Sequence, residues 1–411
     1  MKPTIRQFLK DNTLTREVVD RFLDPTSHNW AGFDPELGYA RKNSVSRDGI
    51  GGGYALCTHG MQGERKMIQY AGDPCRINTY GDSFTYGDQV NDAETWQEYL
   101  AAQLGEPIRN FGVGSYGVYE AYRRMRREEA TDIAAKYVMF GIYDDDHTRS
   151  IYPWRALHMS THYWPGVKAA VDSPECFDFH ANPWAHLRFN PQNGQFEERE
   201  NEYDTPESLY KLCDADFVYE TFGNNFDIQV NLAMQQATDV DYEILHAHAE
   251  ALDVPVDLST PEKMAESAKR LLTISSLRST LYVLDKVSTF AEKENKQLMI
   301  VLTFSMGTVV EACDGQPRFD QMLIDYLQER NMRHIDMLVE HVTDFSNFKL
   351  SSREYVDRYY YGHYAPAGNH FLAFTLRQAL KEWLDPRPPT YREGGDIVKA
   401  RAGIVDGRRK L

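Results

Sequence analysis

What most constrains this chain is a rhythm of short apolar runs alternating with stretches of helical spacing. The runs are CRINTY (75–80), IRNFGV (108–113), YVMFGIY (137–143), QLMIVLTFS (297–305) and HIDML (334–338). Helical periodicity occupies 94–105, 118–130, 262–294 and 319–331, and a last helix runs from just after Pro366 to about 383. The third run is almost continuously apolar, as expected of a strand covered on both faces. Strands interleaved with helices predict an α/β fold of three α/β/α layers around a mainly parallel five-stranded sheet. In such folds ligand sites collect at the carboxyl ends of the strands. Residues just after strands are therefore the informative ones.

The rhythm also divides the chain. Residues 1–75 are rich in turns and glycine (GIGGGY at 49–54), with one helical stretch near 14–23, and read as an N-terminal extension packed on the core. The core is predicted over 76–150 and 260–384, with a cap inserted at 151–259 and a Pro/Gly-rich tail at 385–411. The region 144–230 is rich in Trp, Tyr, Pro, Asn and His. It carries two alternating runs around Asn193-Gly194 that read as a hairpin. An insertion after a strand's carboxyl end is well placed to roof a pocket.

A net charge of −16 opposes phosphate backbones and anionic membranes, so neither nucleic acid nor membrane is expected as a partner. The five cysteines are scattered without a CxxC pair, which argues against a disulfide framework and a cysteine zinc site. The N-terminus lacks an apolar leader core, and no run approaches a membrane span. These features predict a cytoplasmic chain.

Four motifs carry chemistry. GDSFTYG (81–87) places Ser83 where the first strand ends and a helical stretch begins, where orphan N–H groups favour developing negative charge. A helix-capping turn would read the same way, and a serine hydroxyl needs a neighbouring base to attack. RNFGVGSYG (109–117) supplies Gly112, Gly114 and Gly117, which let backbone approach a ligand, but its spacing is not a dinucleotide fingerprint. FGIYDDDHTR (140–149) sets Asp144, Asp145, Asp146 and His147 in a row: a divalent-cation set, a solvated acidic loop, or one structural aspartate. YYYGHYAPAGNH (359–370) puts His363 in a loop before the final helix, from which it can fold back to Ser83 as a base.

Taken in order, these blocks resemble the SGNH (GDSL-type) hydrolase family, whose fold is flavodoxin-like. The resemblance covers about 79–150 and 297–376. It implies that Ser83 is the nucleophile and His363 the general base. The oxyanion would be held by the backbone N–H of Ser83, a backbone N–H of the Gly112–Gly114–Ser115 turn, and a side chain of the third block. This sequence departs from the family pattern at three places. Ser115 stands where the second block has a glycine. Tyr143, before Asp144, stands where the third has its asparagine, so either the Tyr143 hydroxyl or a protonated carboxyl substitutes, or the hole has only its backbone donors. Tyr360 stands where the last block has its aspartate, leaving Asp357 or a carbonyl to orient His363. The expected activity is hydrolysis of an O-acyl, chiefly acetyl, ester of a carbohydrate or other small polar metabolite through an acyl-enzyme, with no cofactor and no metal. An acyltransferase and a non-catalytic binding protein of the same fold are the alternatives.

Overall fold

The five predicted runs form one parallel sheet: β1 Ile77–Tyr80, β2 Arg109–Asn110, β3 Tyr137–Tyr143, β4 Gln297–Thr303 and β5 His334–Asp336. Their spatial order is β5-β4-β3-β1-β2. This computed structural model describes residues 4–27, 30–46, 49–159, 182–257 and 259–392. The predicted tail beyond 392 and the cap segment 160–181 lie outside the described residues.

The chain steps from β1 outward to β2, then back across β1 to β3. With right-handed crossovers, that reversal puts the connecting helices on opposite faces. Accordingly, α1 Ser83–Tyr86 and α2 Trp96–Leu104 follow β1, and α3 Val118–Glu128 follows β2. The long α4 Pro261–Lys293 packs on α3, whereas α5 Pro366–Trp383 packs on α2. The reversal of strand order between β1 and β3 opens a crevice at their carboxyl ends, the usual ligand position in this topology. Tyr137 pairs with both Ile77 and Gln297, so the three central strands start level and β3 outruns β1 by three residues, from Phe140 to Tyr143.

Helix boundaries follow the local chemistry. Thr95 caps α2 through Glu98 N, and Gly105 closes it in a left-handed conformation. Thr260 caps α4, with Pro261 at its first position. Two strands are shorter than their apolar runs. β5 ends at Asp336 because that side chain caps a helix, Met337–Phe345, which claims the last two residues of HIDML. β2 keeps two residues because its glycines peel away, although Phe111 N still donates to Thr79 O and Val113 N to Gly81 O.

The hairpin around Asn193-Gly194 is present, His186–Asn190 against Gln195–Arg199. The cap after it is helical, however, with helices at Ala215–Phe222, Phe226–Met234 and Tyr242–Ala251. Polar composition hid these helices. Asp214 and Asp241 cap two of them, and only a narrow apolar stripe on each faces inward. One apolar cluster unites the core segments on the sheet. A second joins Leu9, Val19 and Phe22 of the extension to Trp154, Trp184, Leu209 and Phe222 of the cap region. Among the described residues, no helix is long and apolar enough to cross a membrane.

Candidate active site

β1 is buried along its length and delivers the chain into Gly81, at φ 154°. A Cβ there would stand 2.2 Å from Thr85 Oγ1 and 3.0 Å from the Gly141 carbonyl, so the turn admits only glycine. Asp82 then caps α1, its Oδ1 accepting from Phe84 N (3.0 Å) and Thr85 N (3.3 Å). Ser83 is the first residue of that helix and only 6% exposed. Its hydroxyl donates to Asp82 Oδ2 at 3.1 Å. Since α1 is one turn long and Asp82 takes its next two N–H groups, the helix offers little dipole. What remains for an anion is the N–H of Ser83 itself, which has no hydrogen bond among the described residues.

The glycine turn supplies the second wall. Gly112 packs against α1 so closely that a Cβ would be 2.3 Å from Tyr86 N. Its N–H is occupied by Asn110 Oδ1 at 2.9 Å. Gly114 and Ser115, by contrast, have N–H groups without a hydrogen bond among the described residues. Ser115 is held at φ 72°, a left-handed conformation that costs a non-glycine residue energy and needs surrounding structure to hold it. Three donors hold the carbonyls of this turn. Tyr39 Oη donates to Gly114 O (2.8 Å), Arg155 Nη1 to Ser115 O (3.2 Å) and Arg149 Nη1 to Tyr116 O (3.2 Å). In a trans peptide C=O and N–H point opposite ways, so the Tyr39 bond fixes and polarises the unit whose N–H belongs to Ser115.

His363 enters on a short hairpin, Tyr360–Tyr361 against His363–Tyr364, turned at Gly362 (φ 80°). Its ring lies 5.2 Å from that of Phe84, the neighbour of Ser83, and Phe84 also stacks on Tyr143 at 4.4 Å. Gln89 Oε1 accepts from the His363 backbone N–H at 2.8 Å and meets His363 Nδ1 at 3.1 Å. A backbone N–H can only donate, so the amide atom facing it is the oxygen. Nδ1 must then carry a proton to bond the same atom, which leaves Nε2 with its lone pair free.

The side chain that meets His363 is thus Gln89 and not the expected Asp357. Asp357 closes the helix Ser352–Val356, its side chain is 57% exposed, and it pairs with Arg353 at 3.4 Å. The aspartate position of the last block is filled by Tyr360, whose hydroxyl donates to Phe304 O and meets His341.

The acidic run of the third block disperses. Asp144 Oδ2 accepts from Ser305 N and Thr308 Oγ1, at the start of the helix Met306–Cys313. Its Oδ1 is buried without a partner, and burial raises its pKa. Asp146 is buried, accepting from Tyr143 N (2.9 Å) and Arg149 Nη1 (2.7 Å). His147 turns to Thr280 Oγ1, and burial lowers its pKa to about 4. Among the described residues no group of three His, Cys, Asp or Glu is placed to hold a metal ion. Tyr143 stays at the site, stacked on Phe84 with the Arg149 guanidinium 5.5 Å from its ring. Burial raises the pKa of Asp82, and Arg149 (3.9 Å away), the Thr85 N–H and His363 oppose the rise.

Three site residues escaped the sequence reading: Gln89, Arg149 and Arg155. Gln89 lies two residues past GDSFTYG and Arg149 at the end of FGIYDDDHTR, and neither a lone glutamine nor an arginine beside three acids carries a local signal of a site. A separate cavity of about 760 Å³ opens in the cap between the hairpin and the helices Phe226–Met234 and Tyr242–Ala251, and neither Ser83 nor His363 lines it.

No protein-family model matches the chain, and no curated protein is similar to it. Among solved structures it is similar to one described as a "putative lipolytic protein of G-D-S-L family from Desulfitobacterium hafniense DCB-2". The TM-score is 0.35 and the identity 10%, over 75% of this chain and 100% of that one. At that level the likeness says nothing about individual residues.

Proposed function

We propose that the protein is a serine esterase of SGNH type, cleaving an O-acyl ester of a carbohydrate or other small polar metabolite through an acyl-enzyme. The observation that supports this reading is the double contact of Gln89 with His363, which protonates Nδ1 and leaves the Nε2 lone pair available, on a ring 5.2 Å from that of Phe84, the neighbour of Ser83. In this reading Ser83 Oγ turns from Asp82, passes its proton to His363 Nε2 and attacks the ester carbonyl. The N–H groups of Ser83 and Ser115 receive the oxyanion, each such donor typically contributing about 3 kcal/mol to the transition state. The imidazolium returns its proton to the departing alcohol. Water, deprotonated by the same nitrogen, then attacks the acyl-serine and releases the acid. An acyltransferase would differ only in admitting a second alcohol in place of that water.

The test is turnover of 4-nitrophenyl acetate and labelling by a fluorophosphonate. Wild type should be labelled on Ser83 and turn over, with no response to EDTA. Ser83→Ala should lose labelling and roughly 10⁴-fold or more of kcat. Absence of both in wild type would sink the esterase reading. A second reading, a binding protein that keeps the fold without the reaction, is favoured by one observation, the Ser83 hydroxyl bonded to Asp82. That outcome would support it.

A further inference from the structure

We propose that this site takes an anionic ester, and that Arg155, with Arg149 beside it, receives the substrate's carboxylate, sulfate or phosphate. The inference rests on the esterase reading for the word ester, and on the arginines alone for the word anionic.

The two guanidinium groups are drawn together by successive carbonyls of one turn, Ser115 O for Arg155 and Tyr116 O for Arg149. This is the turn whose Gly114 and Ser115 N–H groups are unclaimed among the described residues. Like charges brought together out of water are costly unless countered. Arg149 has its counter-ion in buried Asp146, at 2.7 Å. Arg155 has none: among the described residues no carboxylate lies within ion-pairing distance, and its one hydrogen bond is to a neutral carbonyl. Other enclosed arginines do have acids, Arg41 with Asp88, Arg65 with Asp92 and Arg123 with Glu36. In a chain of net charge −16, a cation left without one is not for want of carboxylates.

Arg149 also keeps an unmet donor. Its side chain is 7% exposed, and its Nε is buried with no partner. Burial and the charge of Arg149 push the pKa of Arg155 down to about 10, the direction expected of a cation that lacks an anion. A planar guanidinium fork matches a carboxylate or a tetrahedral oxyanion in two bonds, which a lysine would not.

The experiment compares wild type, Arg155→Gln and Arg155→Lys on three esters. These are 4-nitrophenyl acetate (neutral), 4-acetoxybenzoate (anion on the alcohol side) and mono-4-nitrophenyl succinate (anion on the acyl side). At least one anionic ester should exceed the neutral one roughly tenfold or more in kcat/KM. Arg155→Gln should erase that preference through KM, and Arg155→Lys should restore part of it. No preference in wild type, or a preference that survives in Arg155→Gln, overturns the proposal.

A binding arm is independent of turnover. In the Ser83→Ala background, 4-hydroxybenzoate or sulfate should raise the melting temperature above that in sodium chloride of equal ionic strength, and Arg155→Gln should abolish the rise. If no ester is cleaved but this stabilisation holds, catalysis fails and the anion site stands. If esters are cleaved without either effect, the anion site falls.

Discussion

A neutral amide on the imidazole sets the chemistry at the scale of single residues. Gln89 fixes the tautomer of His363 as an aspartate would, but brings no negative charge to stabilise the imidazolium. Gln89→Glu keeps an acceptor for both His363 N–H groups and adds that charge. That charge stabilises the imidazolium of the proposed reaction, so Gln89→Glu should keep at least wild-type kcat. Gln89→Ala should cut kcat by roughly 10²-fold or more while substrate KM changes little, since it removes orientation and not binding. A pH–rate series on the three proteins measures both effects. The sequence made the placement of Ser83 and His363 legible, because one follows a buried strand and the other precedes the last helix. Gln89 was not legible. Its role depends on a left-handed turn (φ 70°) and on a partner 274 positions away, neither of which leaves a local pattern.

At the scale of elements, the chain leaving β1 and β2 passes closer to α1 than side chains allow. Gly81 and Gly112 are the points of approach, each with backbone or Thr85 inside 3 Å of where a Cβ would be. Gly112→Ala should therefore destabilise the protein by roughly 2–4 kcal/mol, as overpacking against backbone does, and lower esterase activity by displacing α1. Chemical denaturation and turnover of the same preparation test the pair of effects. The five strands were readable because buried parallel strands are runs of apolar residues. The cap helices were not, since half-exposed helices with polar caps blend into a region rich in Asn, Asp and Tyr. The shortness of β2 was hidden too. IRNFGV has the composition of a strand to its end, and only the glycine turn's need to leave the sheet shortens it.

At the scale of the whole molecule, buried neutral histidines tie stability to acidity. His341 is fully buried among the hydroxyls of Tyr355, Tyr360 and Tyr364, and burial lowers its pKa to about 3; His147 is likewise buried, with a pKa of about 4. Unfolded, each titrates near 6.5, so below that pH the unfolded chain binds protons that the folded one refuses. Their stabilisation is complete above pH 6.5 and falls by roughly 1 kcal/mol per unit for each group as pH drops toward 4. Glu120, pushed up to about 8 by burial, acts in the opposite direction, so the histidine share is best read from a variant. His341→Asn should be less stable than wild type at pH 7, yet lose less on going from pH 7 to pH 5, as urea midpoints at the two pH values would show.

The anchoring of His363 on Gln89 also has a temporal side. Gln89 emerges from the ribosome soon after Ser83, and His363 follows Gln89 274 positions later. A nascent chain therefore carries Ser83 without His363 throughout synthesis of the cap. In the proposed esterase, Ser83 would gain its base only once the hairpin carrying His363 docks on Gln89, so activity would report that this contact between distant segments has formed.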